Sequence, residues 1–345
     1  MLKYSALIAL PFLIFLLSCS SMSKEVTKTA TASEKGSPYK QDAGPWAVRI
    51  LDLTWHDDAR HRDVPVRIHA PDPQYAKGTL PVIVISPGFG GSREGYSYLA
   101  GHLASHGYLC VTLTHIGTDT ATFREGGLKG LAKALKDPKN LVLRPQDVIF
   151  AIDQIVSREQ GEELIKGRVD AKRIAVAGHS FGAYTALALA GQVVDTGEGQ
   201  LRTFKDDRVK AVLAMSPQAP GSFGLNSASW NDIRTPAMTM TGTADANLFT
   251  RRVEDRRFAF DHMPAGDKYH VTIRDADHFT FADGGINLLR PKVPAGRDER
   301  HHEWIKQLSV SFFDAYLMKD GNAKDWLKNL EVTRYTNGEC KLEAK

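Results

Sequence analysis

The junction Gly178-His179-Ser180-Phe181-Gly182 constrains this chain more than any other feature of its sequence. Arg173-Ile174-Ala175-Val176-Ala177 precedes it and reads as a buried strand, while AYTALALAG follows and reads as a helix. A strand that turns into a helix over so few residues leaves no room for Cβ atoms at the flanking glycines. It holds the intervening serine in a strained backbone, with its hydroxyl exposed at the strand's carboxyl end. The amino end of the helix then favours negative charge developing beside it. The glycine–x–serine–x–glycine pattern alone is weak, but between a strand and a helix it marks Ser180 as a candidate nucleophile.

The rest of the chain supplies the frame such a junction needs. Trp46–Trp55 and Val64–Ala70 alternate apolar and polar residues, as half-buried antiparallel strands do. Val82–Ile85, Tyr108–Leu113, Ile174–Ala177, Ala211–Met215 and Ala237–Met240 are continuously apolar, and Tyr269–Arg274 is the last strand candidate. Such runs are parallel strands covered on both faces, and helices are expected at Glu94–Ser105, Gln146–Arg158, Phe181–Ala190 and His302–Met318. Pro145 suits the first turn of the second of these. The expected architecture is α/β, about eight mostly parallel strands with helices on both faces, in one domain over 45–335. Residues 336–345 are expected to be a polar tail.

A serine is a weak nucleophile without a base and an orienting acid. The turn Gly242-Thr243-Ala244-Asp245 follows a strand end, and Asp275-Ala276-Asp277-His278-Phe279 follows the final strand. The order serine, acid, histidine makes His278 the expected base and Asp245 the residue that holds its tautomer. Asp275 and Asp277 are expected to shape the histidine loop. Ser86-Pro87-Gly88-Phe89-Gly90-Gly91, after another strand, offers the Phe89 amide as one oxyanion donor, with the Phe181 amide as the other. That glycine-rich loop matches neither phosphate-binding pattern. His115, Ile116 and Asp119 follow a strand end and are pocket wall or plain loop. The stripe Leu128, Leu131, Ala132 and Leu135 reads as a surface helix packed on the core, with a lid as the alternative.

PVIVISPGFGGSREGYSYLAGHLASHGYLCVTLTH, GHSFGAYTA, GTAD and DADHF resemble the α/β-hydrolase family, and within it bacterial dienelactone-hydrolase-like and platelet-activating-factor-acetylhydrolase-like proteins. The resemblance covers roughly residues 45–320. Dienelactone hydrolases carry a cysteine nucleophile where this chain has Ser180, and many relatives carry His-Gly where it has Pro87-Gly88. The resemblance implies an α/β-hydrolase fold and cleavage of carboxylic esters through an acyl-enzyme, with no cofactor. No large lid domain is visible in the sequence, which favours small or accessible esters, and the twelve histidines include no HExxH metal motif. The alternatives are a lipase- or polyesterase-like hydrolase of bulkier esters and a non-catalytic ligand-binding lipoprotein on the same fold.

At the amino end, Lys3 and the apolar run Ala6–Leu17 form a signal peptide over residues 1–18, too short to span a bilayer. Leu16-Leu17-Ser18-Cys19 resembles the lipobox of bacterial lipoproteins, which implies export, cleavage before Cys19 and a lipid anchor on its thiol. Residues 19–44 are Ser-, Thr- and Lys-rich and are expected to be a flexible tether. The net charge of +4 over 345 residues gives no reason to expect a nucleic-acid partner. The three cysteines make no metal cluster. Pairing of Cys110 with Cys340 and the oligomeric state stay open.

Overall fold

The computed structural model describes residues 36–345 apart from 158–161, 198, 200, 247–249, 251 and 284–296. The signal segment, Cys19 and the tether up to residue 35 lie outside the described residues. The strands are β1 (Val48–Asp57), β2 (Arg62–Pro71), β3 (Leu80–Ser86), β4 (Leu109–Leu113), β5 (Val169–His179), β6 (Val193–Asp195), β7 (Leu201–Thr203), β8 (Val209–Met215), β9 (Ala237–Ala244), β10 (Lys268–Asp277) and β11 (Cys340–Ala344). The helices are α1 (Ser97–Ser105), α2 (Thr120–Lys136), α3 (Lys139–Ser157), α4 (Phe181–Ala190), α5 (Phe258–His262), α6 (Arg297–Phe313), α7 (Gly321–Lys328) and α8 (Glu331–Tyr335).

Nine strands form one sheet in the order β1-β2-β4-β3-β5-β8-β9-β10-β11, and β6 and β7 pair separately. The run from β4 to β10 is parallel, and β1, β2 and β11 are antiparallel additions at its edges. Period-two alternation divides the core. Val82, Val84, Ile174, Val176 and Val212 face α3 and α4, whereas Ile83, Ile85, Ala175, Ala177 and Leu213 face α1 and α6. Both sheet faces are therefore covered, which is why the central strands read as unbroken apolar runs.

Three expectations need correction. The carboxyl-terminal decade is not a free tail: β11 pairs with β10, setting Cys340 opposite Ile273 and Leu342 opposite Val271, and raises the sheet from the expected eight strands to nine. Alternating Cys340 and Leu342 inward is enough to dock a short edge strand. The tether is not free as far as Gly44. Tyr39 Oη donates to Asp314 at 2.8 Å, Trp326 Nε1 donates to Ser37 O at 2.7 Å, and the Gly44 N–H donates to Ser105 Oγ at 2.8 Å. Pro145 lies inside α3, not in its first turn. The carbonyl it cannot serve, that of Leu141, accepts from Tyr184 Oη at 2.9 Å instead. Cys110 and Cys340 are free and buried.

Candidate active site

The serine junction folds as its glycines require. Ser180 has φ 54° and ψ −118°, a conformation L residues adopt only under constraint, and its N–H donates to Met215 O at 2.9 Å. A Cβ on Gly178 would strike the Gly182 carbonyl, and one on Gly182 would strike the carbonyls of Ser86 and Pro87. The elbow thus packs directly against the end of β3. Ser180 ends up at the carboxyl edge of the sheet, ahead of α4.

Two loops bring their side chains to it. Ser180 Oγ lies 3.0 Å from His278 Nε2, and His278 Nδ1 lies 2.8 Å from Asp245 Oδ1. The geometry fits a neutral imidazole whose Nδ1–H donates to the carboxylate and whose Nε2 accepts the serine proton. Asp245 is fully buried, and its second oxygen accepts from Thr241 Oγ1 at 2.9 Å. Burial pushes its pKa up, but the hydrogen bond from His278 and the nearby charges more than offset this and hold the carboxyl below its ordinary value. Asp277 accepts from the N–H groups of Phe279 and Thr280 and so caps the turn that carries His278, as expected of it. The bulge between Ile273 and Asp277 is where β10 leaves its register to present that turn.

The loop after β3 is tied by its own backbone. Gly88 N–H donates to Tyr96 Oη, Gly90 N–H to Thr118 O and Gly91 N–H to Gly88 O. Phe89 and Phe181 are left with N–H groups that have no acceptor among the described residues, and their rings pack at 6.4 Å. Tyr96 Oη in turn donates a hydrogen bond to His179 Nδ1 at 2.9 Å, placing buried His179 with its ring 4.8 Å from that of His278. Burial first, and the adjoining His278 second, hold His179 far below the usual histidine range, so it stays neutral.

Two features were not read from the sequence. Arg256, almost wholly buried, donates to the carbonyls of Ser216 and Pro217 and stands 3.3 Å from Asp245 Oδ1. His115 is not pocket wall. It is buried, accepting from Ser86 Oγ at Nε2 and donating to Asp147 at Nδ1, each at 2.9 Å. Asp119 caps α2, accepting from Thr122 N–H. The stripe expected on a surface helix lies on α2, and the side chains of Leu128 and Leu131 are outside the described residues. Among the described residues no cluster of three His, Cys, Asp or Glu could hold a metal ion.

A mostly parallel sheet with a serine elbow after β5, an acid after β9 and a histidine after β10 defines an α/β-hydrolase. Within that class the chain belongs to the PET hydrolase-like (PETase) family, whose model matches residues 66–295. It is 26% identical to cutinase est1 of Thermobifida alba over 58% of this chain and 54% of that protein. Against cutinase 2 of Thermobifida cellulosilytica the identity is 25%, over 58% of this chain and 61% of that one. Against platelet-activating factor acetylhydrolase of Cavia porcellus it is 22%, over 73% and 61%. The chain therefore spans only about half to three-fifths of the length of these relatives.

Proposed function

We propose that this protein hydrolyses carboxylic esters through an acyl-enzyme on Ser180. The observation that carries the reading is the unbroken hydrogen-bond chain Ser180–His278–Asp245 behind a strained elbow. Ser180 Oγ attacks the acyl carbon while His278 Nε2 takes its proton, and Asp245 stabilises the imidazolium that results. The oxyanion lies against the free N–H groups of Phe89 and Phe181. His278 then returns the proton to the leaving alkoxide, and water attacks the acyl-enzyme by the same route in reverse. No step calls for a metal or cofactor.

The test is a panel of p-nitrophenyl esters of increasing acyl length, run on the wild type and Ser180→Ala. The variant is expected to keep only the residual rate that binding and the oxyanion site sustain, ~10³–10⁴-fold over water. Turnover by Ser180→Ala equal to the wild type would refute Ser180 as the nucleophile, and a wild type without turnover would leave a non-catalytic binding role in its place. A second reading, bulky or polymeric esters, is favoured by the PET hydrolase-like family and by relatives named cutinases. Release of soluble acids from a polyester film would support it, and hydrolysis confined to short soluble esters would exclude it.

We place this activity outside the cytoplasm, on a lipid anchor at Cys19. The lipobox-like Leu16-Leu17-Ser18-Cys19 supports the reading. No helix among the described residues is long and apolar enough to cross a membrane. Membrane fractionation lost in Cys19→Ala is the expected outcome. Native protein in the soluble fraction, cleaved elsewhere than before Cys19, would reject the anchor.

A further inference from the structure

Arg144 is a guanidinium in the wrong place for an ordinary arginine. It lies on α3, is 1% exposed, and every acceptor it has is neutral. Its Nη2 donates to the Pro87 carbonyl and, at 3.3 Å, to Ser86 Oγ; Nη1 donates to Thr118 Oγ1 at 2.8 Å and Nε to Thr185 Oγ1 at 3.3 Å. The plane sits over the Phe181 ring, 4.5 Å from its centroid. Among the described residues no carboxylate forms an ion pair with it. Asp147, three residues on, is already taken by Arg60 at 2.7 Å, Arg62 at 2.8 Å and His115 at 2.9 Å. Arg60 has Asp57 as well. Three guanidinium groups thus face two carboxylates, and His115 adds no charge, because burial first and Arg144 second push it down to about 4. One positive charge is left over, and it is buried.

A buried charge without a counter-ion is costly, so its surroundings matter. Arg144 touches each of the three segments that frame the free N–H groups. These are the Pro87 carbonyl at the start of the Gly88-Phe89 turn, Thr118 whose own carbonyl holds Gly90, and Phe181. Behind it the hydrogen bonds run one way, from Arg144 to Ser86 Oγ, from that hydroxyl to His115 Nε2, and from His115 Nδ1–H to Asp147. This row repeats the residue types of Ser180–His278–Asp245. Ser86, however, is wholly buried at the end of β3, so it meets no substrate and can only fix its neighbours.

We propose that Arg144 is a positioning residue of the oxyanion site: it aligns the Phe89 and Phe181 amides, and its unpaired charge is compensated when the oxyanion forms in front of them. The inference rests on the ester-hydrolase reading. Preorganised charge that is satisfied only in the transition state acts on kcat and leaves substrate binding alone.

The test compares wild type, Arg144→Met, Arg144→Lys and Ser86→Ala on p-nitrophenyl acetate, with a thermal melt of each. Loss of one direct oxyanion donor costs ~10²–10³-fold in kcat, so a residue acting through the donors is expected to cost less. Arg144→Met should lose ~10–100-fold in kcat with KM within ~3-fold, and Arg144→Lys, which keeps the charge, should recover most of it. Folded Arg144→Met with kcat within ~2-fold of wild type, or with its loss confined to KM, overturns the proposal. Should Arg144→Met fail to fold, Ser86→Ala decides: a kcat loss of ~3–10-fold at unchanged KM supports the proposal and a wild-type kcat overturns it. A wild type without esterase activity would fail earlier, and would refute the underlying function instead.

Discussion

Lowering the pH toward 5 should strip this protein of stability well before its carboxylates titrate. His115 and His270 are both buried within α/β layers, 1% and 2% exposed. Burial first, then Arg144 for His115 and Arg257 for His270, pushes each from 6.5 down to about 4. Between those two values the unfolded chain binds a proton at each site and the folded chain does not. The unfolded state therefore gains as pH falls through 6.5, and the loss is complete only below about 4. At pH 5 the linkage comes to about 2 kcal/mol per histidine, or about 4 kcal/mol for the pair. That is a large part of the ~5–15 kcal/mol that holds a domain together, and it corresponds to a fall in Tm on the order of 10 °C. Thermal melts in matched ionic strength at pH 7.5, 6.5, 5.5 and 5.0 measure it directly. His270→Gln, which keeps a polar partner for Thr239 Oγ1, should flatten the slope by one proton. A Tm constant from pH 7.5 to 5.0, or an unchanged slope in His270→Gln, would refute the reasoning.

Asp245→Asn should lower kcat by up to ~10⁴-fold by presenting the wrong tautomer of His278, and its effect should not add to that of Ser180→Ala, as steady-state kinetics of the double variant would reveal. Gly182→Ala drives a methyl into the Ser86 and Pro87 carbonyls; we expect a loss of about 1–3 kcal/mol in denaturant melts and near-complete loss of activity. Removing residues through Gly44 takes Tyr39 and Lys40 from buried Asp314, leaving Tyr108 Oη as its partner at 2.6 Å. Esterase activity should be unchanged while stability falls by on the order of 2 kcal/mol, read by urea titration.

Much of this molecule could be read from its residues, because the readable parts are local. The elbow needs two glycines within five residues, and a parallel strand covered on both faces needs an unbroken apolar run. Asp245 and His278 follow strand ends in the order the fold demands. What escaped depends on packing between distant segments. CKLEA at the chain's end is short and half polar, and only the free edge of β10 turns it into a strand. Tyr39 docks because Asp314 waits under it on another element. Arg144 left a trace that was passed over: it shares a helical face with Val148, Ala151, Ile152 and Ile155, so the period of α3 points a charge into the core. Arg256 left none, since the five-residue 3-10 helix that carries it, Val253–Arg257, is too short to show a period.

The central claim is that Ser180 is the nucleophile of an ester-hydrolysing site, and its most direct test is covalent. A fluorophosphonate loses fluoride to an activated serine oxygen and leaves a stable phosphonyl ester. After reaction with the wild-type protein, peptide mapping by mass spectrometry should find one adduct, on Ser180, formed in step with the loss of p-nitrophenyl acetate hydrolysis. Ser180→Ala should take up none. An adduct on another residue that abolishes activity, or full esterase activity in protein whose Ser180 is fully modified, would contradict the account.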